Sequence, residues 1–229
     1  MAKRKSRSRI VCIPDTSALQ NLRGIILGGK DIREWLLSDL DLITTRHILR
    51  ELKGGRQNLE MEKKLLKKYK DTAQNVKLNN ALRDALDKLA GRSFSNFHDG
   101  ELSCILLALR LLKRIKFGVK HTIILSDDLA AFERSEGGRH LLLTVPACCY
   151  WNSADFVLYL ALYRGGKGVG MRINDYEYAM TAAIEHICEP VLAEPLSSTR
   201  QERINYWKKR REDYLDKLKR AYQGSSVGW

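Results

Sequence analysis

The sequence predicts an α/β fold: a mostly parallel sheet flanked by helices on both faces, with a basic helix near the C-terminal end. Short β-branched apolar runs alternate along the chain with longer segments of helical periodicity, a pattern typical of parallel sheets. Acidic residues follow two of these apolar runs directly. In such sheets ligands gather at the carboxyl ends of the strands, so a binding site is expected there.

The first half of the chain begins with the clearest strand. Arg9–Pro14 is a short apolar run rich in β-branched residues, and Asp15, Thr16 and Ser17 after it are residues that favour helix N-caps. The elements expected next are a helix over 18–27 ended by Gly28 and Gly29, a helix over 31–37, a strand over 40–43, and a helix capped by Thr44 and Thr45 that runs to Gly54.

The second half repeats the alternation. Residues 57–90 have helical spacing and predict two antiparallel helices, and a strongly apolar helix begins at Asp99. Further along, the patterns predict a strand over 122–125, a short helix ending at Arg134, a strand over 141–145, and helices over 153–163 and 174–187.

Composition divides the chain into a body and two ends. Residues 1–8 are expected to form a flexible basic arm, and residues 9–190 a single domain. Residues 191–198 read as a linker, residues 199–222 as an amphipathic basic helix, and residues 223–229 as a tail. For the helix, three roles are open: docking on the domain, association with a partner protein or a second copy, and contact with nucleic acid.

Charge and cysteine content restrict the class of protein. Lys and Arg number 40 against 27 Asp and Glu, and the net charge of +13 favours a polyanionic partner. The five cysteines are odd in number and lack zinc spacing, which indicates reduced thiols and a cytoplasmic protein. No apolar run approaches the roughly 18 residues of a membrane span, so no membrane contact is expected.

Acidic residues form four clusters at the edges of predicted elements. Carboxylates that converge repel each other unless a divalent cation neutralises them, and hard cations prefer oxygen ligands. Mg²⁺ or Mn²⁺, as two ions, is therefore the expected cofactor, although each acid taken alone is also explained as a helix cap or a surface residue. The clusters are Asp15; Glu51; Asp99 with Glu101; and Asp127 with Asp128.

An acidic site on a basic chain suggests metal-dependent cutting of nucleic acid. Basic residues near the expected cleft are candidates to steer the phosphate backbone. They are Arg46, Arg50, Lys53 and Arg134, together with Arg56 and Arg139.

Four motifs taken in order resemble the successive signatures of PIN-domain nucleases over about residues 9–165. The motifs are Ile-Val-Cys-Ile-Pro-Asp-Thr-Ser-Ala-Leu ending at Leu19, Glu51 on its helix, Asp-Gly-Glu-Leu-Ser-Cys-Ile-Leu-Leu-Ala beginning at Asp99, and Ile-Ile-Leu-Ser-Asp-Asp-Leu-Ala-Ala ending at Ala131.

The resemblance implies a metal-dependent RNA-cutting fold, often the toxin of a toxin–antitoxin pair. It matches Asp15, Glu51, Glu101 and Asp128 to the family's four acids, with Asp99 and Asp127 in support and Ser17 and Ser126 as the accompanying hydroxyl residues. The expected activity is two-metal hydrolysis of single-stranded RNA, as a toxin or as a defence or processing component. A neutralising or assembly protein and a homodimer are further candidate partners. Two alternatives stay open: a non-catalytic nucleic-acid-binding or assembly subunit, and a structure-specific DNA nuclease.

Overall fold

The computed structural model of the protein describes residues 9–54, 60–77, 80, 84, 99–113, 119–127, 148–165, 171–193, 195 and 197–225. The strands within these ranges are β1 (Arg9–Pro14), β2 (Ile26–Leu27), β3 (Lys30–Asp31), β4 (Asp41–Leu42), β5 (Val119–Leu125) and β6 (Cys148–Trp151). The helices are α1 (Thr16–Asn21), α2 (Ile32–Asp39), α3 (Arg46–Gly54), α4 (Glu60–Thr72), α5 (Asp99–Lys113), α6 (Ser153–Arg164), α7 (Ile173–Ala193) and α8 (Ser198–Ser225).

The described residues fall into two compact units. The sheet unit comprises the residues up to Ala18 together with those from Leu36 to Tyr150. The helical unit comprises Leu19–Trp35 and the residues from Trp151 onward. The helical unit therefore combines a segment near the N-terminus with the C-terminal helices.

Among the described residues, the sheet unit contains a four-stranded sheet in the order β4-β1-β5-β6. β1 is parallel to both of its neighbours: Val11 pairs with Asp41 of β4, and Ile13 pairs with Ile124 of β5. Helices flank the sheet, so the predicted α/β class is confirmed. In a parallel arrangement the carboxyl ends of β1, β4 and β5 meet at one edge.

Burial of the central residues of β1 on both faces explains their apolar character. Val11 and Ile13 share a buried cluster with Leu102 and Ile105 of α5. Cys12, whose side chain alternates to the other face, is also completely buried. Strands covered on both sides read as unbroken apolar runs rather than alternating ones.

Several predicted elements differ from the structure or lie beyond it. The strand β6 was not expected, and β5 begins at Val119 rather than Thr122. Of the two helices predicted over 57–90, α4 is described; most of the remainder lies outside the described residues, as do the helix ending at Arg134 and the strand over 141–145.

The helix predicted over 18–27 was wrong in its second half. α1 ends at Asn21, Gly24 follows with a φ of 78°, and β2 and β3 then form an antiparallel hairpin. Gly28 and Gly29 occupy the two turn positions with φ values of 61° and 75°. Glycine adopts positive φ without a Cβ clash, and this two-residue turn matches the twist of a hairpin.

Three helices, α6, α7 and α8, pack on one another in the helical unit. Buried Trp207, Tyr214 and Leu218 form the inner face of α8. The linker predicted over residues 191–198 is shorter, because α7 continues through Pro190 to Ala193 and α8 begins at Ser198. Among the described residues, no helix has both the length and the apolar content to cross a membrane.

Candidate active site

Asp15 lies at the carboxyl edge of the sheet, at the end of β1. Its backbone N–H donates to the carbonyl oxygen of Leu125 at 2.8 Å, which extends the β1–β5 pairing one residue beyond Pro14. α1 begins at the next residue. The strand register and the turn into the helix therefore fix the position of Asp15, whose side chain is only 7% exposed.

Three donors hold the Asp15 carboxylate. The Thr16 backbone N–H donates to Oδ1 at 2.8 Å, and the hydroxyls of Ser17 and Ser126 each lie 3.1 Å from Oδ2 as donors. The two serine hydroxyls are 3.3 Å apart. The backbone N–H of Asp127 donates to the Ser17 hydroxyl at 3.1 Å, so the residues that follow β1 and β5 are joined in one hydrogen-bonded network.

The electrostatics of this network raise the pKa of Asp15 above its ordinary value. Burial is the largest cause, because it removes water from the charged form. Hydrogen bonds from Thr16, Ser17 and Ser126 oppose the rise, while the charge of Glu51 adds to it. Asp15 is thus a buried acid beside a second acid, an arrangement that a bound cation would stabilise.

Glu51 reaches the site from α3. The Thr16 hydroxyl donates to Glu51 Oε2 at 2.5 Å, while the Thr16 backbone N–H binds Asp15. A single residue therefore connects the two carboxylates. The Glu51 side chain is exposed, unlike that of Asp15, so solvent or a ligand has access to it.

The Glu51 carboxylate also lies against the first turn of α5. A Cβ added to Gly100 would come within 2.5 Å of Glu51 Oε1, so glycine is what permits the approach. Hydrogen bonds fix the starts of the two helices: the hydroxyls of Thr45 and Ser103 are 2.7 Å apart, and Ser103 donates to the Gly100 carbonyl at 2.6 Å. The Thr45 hydroxyl also accepts from the Ile48 N–H and so caps α3.

The structure brings together part of the predicted site. Asp15, Glu51, Ser17 and Ser126 lie in one network, and Asp127, 5% exposed, is joined to it through its backbone. Asp99 and Glu101 flank Gly100 in the first turn of α5, but the structure describes only their backbones and not their side chains. Asp128 and Arg134 lie outside the described residues.

The basic residues predicted on α3 lie on its surface. Arg46, Arg50 and Lys53 are all exposed, and their spacing of four and then three residues places them on one face of the helix. Glu51 projects from the same helix. The positive face and the acidic residue are therefore presented by one element.

Residues missed by the sequence interpretation complete the geometry. Thr16 was considered only as a cap, although its position directly after the first acid made it a candidate link. Gly100 stands between two acids, and its lack of a Cβ was the available signal. Among the side chains that the structure describes, no group of three or more His, Cys, Asp or Glu is arranged to hold a metal ion.

Comparison of the chain with protein-family models, with curated proteins and with solved structures finds no match. The resemblance to PIN-domain nucleases therefore rests on the motifs alone.

Proposed function

We propose that the protein is a metal-dependent endoribonuclease that hydrolyses phosphodiester bonds of single-stranded RNA by a two-metal mechanism. One observation carries the proposal: buried Asp15 is joined to Glu51 through Thr16, and Glu51 packs against Gly100, whose chain neighbours are Asp99 and Glu101. This geometry supports convergence of the first three acidic clusters at one edge of the sheet.

The donor chemistry fits a hard divalent cation. The candidate ligands are carboxylate oxygens, which Mg²⁺ and Mn²⁺ prefer. Burial and the neighbouring Glu51 both raise the pKa of Asp15, and a cation would favour its charged form. In this proposal Asp15, Glu101 and Asp128 would hold the ions, with Asp99 and Asp127 in support. When bound, such ions activate water and stabilise the charge on the leaving oxygen.

The surrounding residues would position the reacting groups. Ser17 and Ser126 hold Oδ2 of Asp15, and Thr16 holds Oδ1, so the carboxylate has one orientation before substrate arrives. Exposed Glu51 would orient the attacking water and is itself held by Thr16. Such preorganisation lowers the reorganisation needed in the transition state.

Substrate attraction would come from the basic face of α3. Arg46, Arg50 and Lys53 offer three adjacent positive charges to a phosphate backbone. The same helix carries Glu51, so backbone contact and chemistry would be coupled through one rigid element. The products would carry 5′-phosphate and 3′-hydroxyl ends, because the attacking water bonds to phosphorus and the 3′ oxygen leaves.

Cleavage of end-labelled single-stranded RNA and DNA with Mn²⁺, Mg²⁺ or EDTA tests the proposal. We expect metal-dependent RNA cutting that falls more than about 100-fold in Asp15→Asn, since a metal ligand is lost. Asp216→Asn is the matched control, because Asp216 is 70% exposed on α8 and should leave the rate unchanged. Full activity in Asp15→Asn, or RNA binding without cutting under every metal, would contradict the proposal. If only DNA is cut, the proposed metal-dependent hydrolysis stands, but the proposal that RNA is the substrate is wrong.

A further inference from the structure

The helical unit contains a pocket that the proposed chemistry does not use. Its volume is about 330 Å³, within the range of sites for small ligands. The hairpin forms one side and the start of α7 forms the other. The lining residues are Ile26, Gly28, Gly29, Asn174, Asp175 and Tyr178.

The turn of the hairpin contributes backbone to one wall of the pocket. Gly28 packs so closely that a Cβ there would lie 2.8 Å from the sulfur of Met171, whereas a Cβ on Gly29 would meet nothing within 4 Å. The Trp35 indole N–H donates to the carbonyl oxygen of Leu27 at 2.9 Å and anchors the strand before the turn. The turn therefore presents a firm, open edge that lacks side chains.

Two apolar side chains of the lining are left in solvent. Tyr178 is 67% exposed and Ile26 is 51% exposed. An exposed aromatic ring at the wall of an open pocket suits a flat ligand, because stacking on it needs no rearrangement. Positive charge lies near the hairpin: the ammonium of Lys30 and the guanidinium of Arg164 are 5.0 and 4.3 Å from the centre of the Trp35 ring.

The polar lining selects the kind of flat ligand. The backbone N–H of Arg172 donates to Asp175 Oδ2 at 2.7 Å, which fixes the carboxylate at the start of α7. The other carboxylate oxygen, Oδ1, has the chemistry to accept from an amino group. An aspartate accepts well from the N4 amino group of cytosine, whereas the O4 atom of uracil is an acceptor and would be repelled. Asn174 also lines the pocket, and its side-chain amide can both donate and accept hydrogen bonds.

We propose that this pocket binds one unpaired base of single-stranded RNA, with cytosine preferred over uracil, by stacking on Tyr178 and hydrogen bonding to Asp175. The choice of RNA as the ligand rests on the proposed function and on the net charge of +13. Lys30 and Arg164 would contribute attraction for the flanking phosphates. The pocket would thus be an RNA-binding subsite separate from the residues that cut.

Fluorescence anisotropy of 5′-labelled hexamers of cytidine and of uridine tests the pocket. Binding is measured with the full chain in EDTA, so that it is observed without cleavage. We expect the cytidine hexamer to bind at least about fivefold more tightly than the uridine hexamer. Tyr178→Ala should weaken binding by about 5- to 140-fold, and Tyr178→Phe should restore it, because the ring is retained. Asp175→Asn should remove the preference for cytidine.

The control is Tyr206→Ala, another tyrosine of the helical unit, 49% exposed on α8 and outside the pocket lining. Equal losses in Tyr178→Ala and Tyr206→Ala, unchanged binding in Tyr178→Ala, or no binding of either hexamer by the wild type would overturn the subsite. Cleavage of RNA by the wild type in Mn²⁺ is a separate readout. If binding depends on Tyr178 but the wild type does not cut RNA, the subsite stands and the nuclease is refuted. If the wild type cuts RNA but binding does not depend on Tyr178, the nuclease stands and the subsite is refuted.

Discussion

Asp15 in the sheet unit and Asp155 in the helical unit both accept hydrogen bonds near the start of a helix, yet their surroundings differ. Asp155 accepts from the Asn152 N–H at 3.0 Å and from the Tyr214 hydroxyl at 2.8 Å, within a reciprocal capping box that starts α6. Asp15 accepts from two hydroxyls and one N–H but also faces the carboxylate of Glu51.

The charged groups around the two carboxylates differ. Near Asp155, the Arg210 guanidinium lies 3.4 Å from the Tyr214 hydroxyl and 5.1 Å from the centre of its ring. Burial, with the adjacent Asp155, raises the pKa of Tyr214, so the phenol stays a neutral donor. At Asp15 the neighbouring charge is another acid. In the helical unit a guanidinium and a neutral phenol lie beside the carboxylate, whereas in the sheet unit a second carboxylate does.

The largest effect on stability is expected from Asp155→Ala. The substitution removes one half of the capping box and the acceptor for Tyr214, so we expect a loss of about 2–4 kcal/mol in unfolding free energy. Thermal and urea unfolding measure this loss. The control is Asp216→Ala, an exposed position, where we expect a loss of no more than about 0.5 kcal/mol. RNA cutting at a temperature where the variant is folded should match the wild type. A lost activity with unchanged stability would reverse the assignment of the two sites.

Gly100→Ala tests the position of Glu51 without removing any carboxylate. The added methyl group must displace the Glu51 carboxylate, and misplacement of about 1 Å costs up to about 100-fold in rate. We expect cutting to fall by about 10- to 100-fold. Folding should be unharmed, because alanine favours a helix over glycine by about 1 kcal/mol. Unchanged cutting by the folded variant would show that the contact with Glu51 has no part in the reaction.

A smaller loss is expected from Tyr214→Phe. The ring keeps its packing, but Asp155 loses a donor and the Asn152 amide loses a partner. A cost of about 1–2 kcal/mol follows from unsatisfied buried polar groups. Urea unfolding of this variant and of Asp155→Ala, singly and combined, measures the coupling. Fully additive losses would show that the two side chains do not act as one network.

Asp15→Asn should stabilise the metal-free protein by a modest amount. The folded pKa of Asp15 is raised, so the protonated form contributes stability that is complete below the ordinary value of 3.8 and is lost as pH rises through the folded pKa. The difference in unfolding free energy between Asp15→Asn and wild type should therefore be near zero at low pH and largest at neutral pH. Thermal unfolding in EDTA across pH measures it, with each kcal/mol worth about 2–4 °C. Destabilisation at neutral pH would contradict the raised pKa.

Local sequence patterns correctly predicted the first strand and the start of the helix after it, but not the turns that follow. The apolar run before Asp15 and the cap residues after it were sufficient to place this acid at the end of a strand. The helix over 18–27 failed beyond Asn21, because apolar periodicity does not reveal the positive φ of Gly24 or the hairpin turn at Gly28 and Gly29. β6 was missed because four residues are too few to show a period.

The sequence could not predict which side chains touch in the site, because these contacts join residues that are far apart along the chain. Thr16 and Glu51 are 35 residues apart, and Ser126 is 111 residues from Asp15. The parallel register of β1 and β5 brings Asp15 and Ser126 together, and a hydrogen bond between the Thr45 and Ser103 hydroxyls joins the starts of α3 and α5. Motif order grouped the acids with Ser17 and Ser126, but the hydrogen bond from Thr16 to Glu51 and the approach of Glu51 to Gly100 were not predicted.

Calorimetric titration of Mn²⁺ into the folded protein tests the central claim, that the acids at the edge of the sheet form a divalent cation site. We expect wild type and the exposed control Asp216→Asn to bind Mn²⁺, and Asp15→Asn to lose that binding while remaining folded. Added Mn²⁺ should also raise the unfolding temperature of wild type but not of Asp15→Asn. Absence of binding in wild type, or equal binding in Asp15→Asn, would contradict the account.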